Sequence, residues 1–452
     1  MRSSFADSAS VESLKDMTWS RRRNLVLLKF SRWTPWVRKG SFAILDQGLI
    51  SGSNFLIGIL LARWLLPEQY GAYSLAFEIF LLLSFFHQAL LVEPQRVFGP
   101  SDYRDGLREY LGVLLWLHAG LTVLVFVFMG ISSFLLHELA RPDRLSGALA
   151  GITFAAPFIL LLWLARSACY VKILPQGAAA GATVYCAIVL GGLLLLRRLG
   201  LISPFFAFLL MGFGALVSST VILIRLKPIL KLRTSRKGWG KVGDQHWEYG
   251  RWILVSFGLS SISGSIYYPL VSSFSGLVAV GELKALLNFS LPVAQVLSAL
   301  SVFFLPYASR VYQENGIADL RGLSWKLTGF FGAAAIAYWT FLILLSKPVL
   351  RSLYGDHYTE LTPLIPWLAV GSLPWNLAAV PAIALRAVRS PISIFRVYCA
   401  STLVAVLAGV PATWAFGIRG ALLAMILSNI AALVVGLILL SRKLRNDSIG
   451  KP

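Results

Sequence analysis

Apolar blocks of 20 or so residues alternate along the chain with short breaks carrying charged residues, Pro or Gly. Coiled as a helix at ~1.5 Å per residue, a block of that length crosses a hydrocarbon core of ~30 Å. Twelve such blocks are read, near residues 41–62, 72–92, 110–135, 146–168, 177–196, 203–224, 252–274, 282–304, 326–346, 362–385, 392–414 and 418–440. Backbone groups in lipid must satisfy one another, so each block is predicted as a helix. Strands of a membrane barrel would be shorter and would alternate apolar with polar positions. The expectation is an all-α polytopic membrane protein with about twelve transmembrane helices.

The basic residues orient these spans. With the N-terminus in the cytoplasm, 32 Lys and Arg fall in the cytoplasmic tails and connections and 8 on the opposite side, while Lys284 alone stands inside a span. That asymmetry predicts a multi-pass membrane protein with both termini cytoplasmic. The longest internal polar stretch, Lys227 to Arg251, follows the sixth span. The chain accordingly divides into a basic N-terminal tail (1–40), a first six-helix bundle (41–225), a cytoplasmic basic linker (226–250), a second six-helix bundle (251–441) and a cytoplasmic tail (442–452). Six spans is an even number, so any repeat is parallel, related by an axis along the membrane normal. Ser51-Gly52-Ser53 and Ser263-Gly264-Ser265 lie 212 residues apart, as do Pro94 and Pro306, which are read as closing the second and eighth spans; Tyr70-Gly71 and Val280-Gly281 are a third landmark pair.

Composition removes other classes. Of 452 residues 57% are hydrophobic and only 13% charged, against roughly 25% charged in a soluble domain; the mean hydropathy is +0.72. The net charge of +21 sits at the ends of apolar blocks, where anionic lipid and topology account for it, so nucleic acid is not expected as a partner. Cys169, Cys186 and Cys399 lie in or beside separate blocks and read as small packing residues. The basic, aromatic first forty residues do not resemble a removable signal peptide, and Arg21 to Trp36 reads as either an interfacial helix or a disordered anchor. No catalytic constellation, nucleotide-binding loop, cofactor fingerprint or metal-ligand spacing is present among the five His and the carboxylates, so neither an enzyme nor a cofactor is expected.

Four segments carry a family resemblance: DQGLISGSNFLIGILLARWLLPEQYG (Asp46 to Gly71), HWEYGRW (His246 to Trp252), VLRSLYGDHY (Val349 to Tyr358) and GIRGALLAMILSN (Gly417 to Asn429). They resemble bacterial polysaccharide-export flippases of the multidrug/oligosaccharidyl-lipid/polysaccharide exporter superfamily, over about residues 41–440. The resemblance implies two parallel, pseudo-symmetric six-helix bundles around a central cavity bordered by the first, second, seventh and eighth helices. It also implies alternating-access movement of polyprenyl-diphosphate-linked oligosaccharide to the outer leaflet for exopolysaccharide biosynthesis. The partners would be that lipid-linked substrate, membrane lipids, and a polysaccharide polymerase and export machinery.

Ionisable groups within spans are costly and so become candidates for function. Asp46 and Glu78 are candidate ion-coupling residues, and Lys284 is a candidate cation for a diphosphate; Asn54, Asn288 and Arg251 are further substrate-binding candidates. Asp46 reads equally as a helix-terminal carboxylate, and Glu78 with Lys284 as a structural ion pair meeting across the cavity. Arg166, Arg251, Arg310 and Arg386 near span ends read as snorkelling to lipid phosphates. Asn288, Gln295, Asn376 and Asn429 either bind sugar or tie helices together, and Pro157, Pro292, Pro366, Pro374 and Pro381 kink their helices. Competing functions are a drug/cation antiporter of the same superfamily, a membrane-embedded polysaccharide polymerase, and a lipid II flippase. The antiporter would want more carboxylates within the spans, the polymerase a larger polar loop, and relatives of the lipid II flippase have about fourteen spans.

Overall fold

The structure, a computed structural model, describes residues 41–100, 102–140, 144–172, 174–230, 236–388 and 390–449; the expected N-terminal tail lies outside them. All regular structure among these residues is helical. The first half comprises α1 (Ser41–Trp64), α2 (Pro67–Phe98), α3 (Leu107–Ala140), α4 (Arg144–Val171), α5 (Pro175–Arg198) and α6 (Pro204–Leu226). The second comprises α7 (Arg236–Ser265), α8 (Tyr267–Asn288), α9 (Leu291–Asn315), α10 (Ile317–Leu344), α11 (Ser346–Tyr354), α12 (Ile365–Ala387) and α13 (Pro391–Ile449), with a 3₁₀ stretch Gly355–Leu364 between α11 and α12.

Ten helical segments among the described residues are long and apolar enough to cross a membrane, and positive-φ glycines divide two of them, making twelve. Gly276 (φ 83°) interrupts α8, so the seventh rod runs through α7 to Ser275 and the eighth from Leu277 through α9. Gly417 (φ 55°) separates the eleventh rod from the twelfth within α13. A residue bearing a Cβ is disfavoured in such conformations, so a single glycine separates the two rods at each point. An even number of rods places Ser41 and Ile449, the first and last described residues, on one face, here called the terminal face.

Two further expectations change. Pro94 and Pro306 do not close their spans: Pro94 lies inside α2, after a π turn at Gln88–Val92, and Pro306 lies inside α9. The linker is helical from Arg236, continuous with the seventh rod. Pro94 lacks the N–H that would bond to the carbonyl of Leu90, four residues earlier. His246 of α7 supplies the missing donor, with Nδ1 2.8 Å from the Leu90 oxygen. That oxygen can only accept, so His246 carries its proton on Nδ1, and Nε2 accepts from the Tyr110 hydroxyl at 2.7 Å. The second half is thereby fastened to the first on the terminal face.

One apolar core fills the first half and crosses α2 and α8 into the second; a smaller one around Leu297, Phe331, Ile383 and Leu385 is confined to the second half. On the side of α2 that faces α6, Tyr73 stacks on Phe208 at 4.6 Å between centroids. The opposite side of α2 meets α8.

Candidate functional site

The site lies on the seam where α2 meets α8. Its far end is made by two glycines, Gly71 and Gly281, aligned landmarks of the two halves. A Cβ at Gly71 would stand 1.6 Å from the Leu277 carbonyl oxygen, and one at Gly281 2.7 Å from that of Pro67. Backbone therefore packs directly on backbone, as small residues permit between membrane helices. A pair of equivalent residues meeting each other is also what an axis between two similar halves produces.

Deeper along the seam, Lys284 Nζ donates to Glu78 Oε1 at 3.0 Å, and Ser265 donates to Oε2 at 3.1 Å. Both charges are largely shielded, with 17% of the Lys284 side chain and 8% of that of Glu78 exposed. The ammonium also stands 5.4 Å from the Tyr268 ring centroid and 5.9 Å from that of Phe77, within range of cation–π attraction. Glu78 comes from the first half and Lys284 from the second. At 3.0 Å and an effective dielectric of ~20 their attraction is about 5 kcal/mol, much of which offsets the cost of dehydrating both groups.

A polar knot adjoins the pair. Asn288, buried, donates from Nδ2 to the hydroxyls of Tyr70 at 3.1 Å and Tyr354 at 3.3 Å, and Tyr354 donates to the Ala285 carbonyl. The knot joins α2, α8 and α11, and Gly58 of α1 packs against the same amide. Asn54 is exposed one turn away from Gly58 on α1. Arg63 at the end of α1 donates to the Ser352 carbonyl, a further link between the halves.

The sequence candidates thus separate. Glu78, Lys284 and Asn288 converge on the seam. Arg251 is exposed on α7, fourteen residues before Ser265, which is ~21 Å of helix from the pair. Asp46 is fully buried near the terminal face, where Arg166 grips it with two bonds of 3.0 and 2.7 Å and the Tyr170 hydroxyl donates at 2.5 Å. Arg166 is therefore an internal partner and does not snorkel: a carboxylate and a guanidinium that dehydrate together need a two-pronged match. Asn429 donates to the Gly371 carbonyl and so ties α13 to α12, whereas Asn376 donates to Ser372 one turn earlier in its own helix. They border a cavity of about 200 Å³ in the second half that also meets Tyr267, Ser290 and Trp375. Ser265, Tyr70 and Tyr354 were not anticipated from the sequence; a Tyr in an apolar span needs a hydroxyl partner, and that need is the signal they carry.

The fold is shared with solved transporters of the MOP superfamily. The chain matches an inward-facing multidrug resistance MATE family transporter with a TM-score of 0.73 at 14% identity, covering 91% of this chain and 100% of that one. It matches the lipid II flippase MurJ in an inward closed conformation with a TM-score of 0.66 at 15% identity, over 90% of each chain. A Pyrococcus furiosus transporter of the same superfamily, described as having a binding pocket of reverse polarity, matches with a TM-score of 0.61 at 15% identity, over 90% of this chain and 95% of that one. No protein-family model and no curated protein matches the chain. At these identities the likeness carries the fold and leaves the cargo to be argued from the residues.

Proposed function

We propose that the protein is an alternating-access flippase that carries polyprenyl-diphosphate-linked oligosaccharide across the bacterial cytoplasmic membrane for polysaccharide export, with both termini cytoplasmic. The carrying observation is Lys284, a cation within a span, held on the seam by a carboxylate from the other half. A diphosphate offers the ammonium more acceptor oxygens and more charge than Glu78 does. Substrate entering the seam would take Lys284 from Glu78 and weaken the contact that holds the halves together, coupling occupancy to opening. Glu78, then released, is the group positioned to take up a proton or a cation; Asp46, with both oxygens engaged by Arg166 and Tyr170, is less suited to that role. Asn54 and Asn288 would border the sugar, the polyprenyl tail would stay in lipid, and a polymerase would receive the product.

The test is flipping of a fluorescent polyprenyl-diphosphate sugar by proteoliposomes. Lys284→Ala at matched protein levels should abolish flipping, whereas undiminished flipping removes Lys284 from the mechanism. Similarity to a MATE transporter favours a second reading, drug/cation antiport through a released Glu78. Proton-driven efflux of an organic cation by the same vesicles, with no flipping, would select it.

A further inference from the structure

The largest of the described cavities, about 700 Å³, lies apart from the seam, between α10, α12 and the last third of α13. These helices pack against other elements of the second half. The cavity grades from polar to apolar along its length. Arg321 of α10 and Arg445 of α13 stand at its terminal-face end, with Ser324 and Ser441 just inside. Val380 and Pro381 of α12 and Leu433 and Leu437 of α13 line the remainder. Along α10 the lining runs from Ile317 to Thr328, and along α13 from Leu433 to Arg445. Each is ~17 Å of helix, about half of a ~30 Å hydrocarbon core and so the depth of one leaflet. Trp325 borders the cavity and is 69% exposed, a placement suited to the membrane interface.

We propose that this groove is a binding site for one anionic glycerophospholipid, its phosphate at Arg321 and Arg445 and one acyl chain along Val380, Leu433 and Leu437. The volume falls in the range of small-molecule sites. An apolar cleft open to hydrocarbon forfeits dispersion contacts along its whole wall unless a chain fills it. Guanidinium groups select phosphate esters bearing net negative charge, because a zwitterionic headgroup brings its own cation to compete. On the orientation that the Lys and Arg distribution predicts, the arginines stand at the cytoplasmic surface and the lipid belongs to the inner leaflet. The occupant is not the transported molecule: no residue of the Glu78–Lys284 seam lines this cavity.

The site is tested by native mass spectrometry of the full-length protein incubated with palmitoyl-oleoyl phosphatidylglycerol or the corresponding phosphatidylcholine. Phosphatidylglycerol should be retained about tenfold better, as expected for one or two charge-assisted bonds. Arg321→Gln with Arg445→Gln should abolish the preference, and Leu437→Trp, which fills the groove, should lower retention of both lipids. Arg197→Gln with Arg198→Gln, at the opposite face, should change neither, and size-exclusion profiles confirm that each variant is folded. Equal retention of the two lipids, indifference to the Arg321 and Arg445 substitutions, or displacement of phosphatidylglycerol by stoichiometric polyprenyl phosphate would each overturn the proposal. None of these outcomes bears on whether Lys284 is needed for flipping.

Discussion

Gly71→Ala is the smallest change that should hold the two halves apart. The added methyl would lie 1.6 Å from the Leu277 carbonyl oxygen and 2.5 Å from its carbon. Non-bonded carbon contacts are comfortable at ~3.5 Å or more, so α2 and α8 must separate locally by about 2 Å. Both obstructing atoms are backbone, and no rotamer change relieves them. Separation carries the Glu78–Lys284 pair with it: from 3.0 Å to ~5 Å at an effective dielectric of ~20, the attraction falls by about 2 kcal/mol and the hydrogen bond is lost. Contacts of Gly281 with the Pro67 carbonyl open as well. A penalty of about 2 kcal/mol shifts the ratio of closed to open seam by ~30-fold. The assay is pulsed electron–electron distance measurement between spin labels at Leu66 and Leu345, both exposed at the far ends of the two halves, after Cys169, Cys186 and Cys399 are replaced by Ser. The labelled Gly71→Ala protein should show a longer mean distance than its parent, and transport that requires seam closure should fall in proportion. An unchanged distance distribution in the variant would refute the claim that backbone contact at Gly71 closes the seam.

Asp46→Asn should lower the melting temperature of the purified protein, because it leaves Arg166 buried without its counter-charge, a loss of ~3–5 kcal/mol for such pairs; activity per folded molecule should persist, and loss of activity at an unchanged melting temperature would assign Asp46 to coupling instead. His246 titrates below its ordinary value of about 6.5 because burial disfavours the imidazolium, although its bond to Leu90 opposes the shift. With the docked pKa depressed, the undocked state binds the proton first, so the α7 contact is at full strength above pH ~6.5 and weakens as pH falls below it. Hydrogen exchange of residues 102–110 should accelerate between pH 7 and 5, and His246→Ala should remove that dependence; a pH-independent wild type contradicts the assignment.

The helical spans and the Glu78–Lys284 meeting were legible in the sequence for one reason: hydrocarbon penalises exposed charge and backbone so heavily that the residues advertise where they must go. Lys284 is the lone cation of its span and needs a carboxylate; Glu78 lies at a comparable depth in the other half. What was illegible depends on long-range pairing that composition does not encode. Asp46 and Arg166 are 120 residues apart, and each alone resembles an ordinary charge near a span end. The segment from Arg236 is helical yet alternates Trp and His with charges, so its hydropathy hides an element whose buried face is His246, Gly250 and Val242. Gly276 and Gly417 fall within the breaks read at 275–281 and 415–417, but the sequence does not show that a single positive-φ glycine makes each break.

Pro94 shows how such a misreading arises and what it conceals. A proline interrupts a helix by orphaning the carbonyl four residues before it, which is why it reads as an end. In α2 the orphan is satisfied from outside by His246, so the helix continues to Phe98 through a π turn. The result is that α2 belongs to both fastenings between the halves: the Gly71 and Glu78 seam toward one face and the Leu90–His246 contact toward the other. A cycle that opens one face while keeping the other closed must let the two ends of α2 move separately. Bending a regular helix breaks internal hydrogen bonds, but between Glu78 and Pro94 the chain already carries a π turn and a missing N–H, where the ladder is irregular before any motion begins. The stretch Gln88–Val92 is therefore the place where α2 bends at least cost, and the donor that stabilises it there comes from the half that moves.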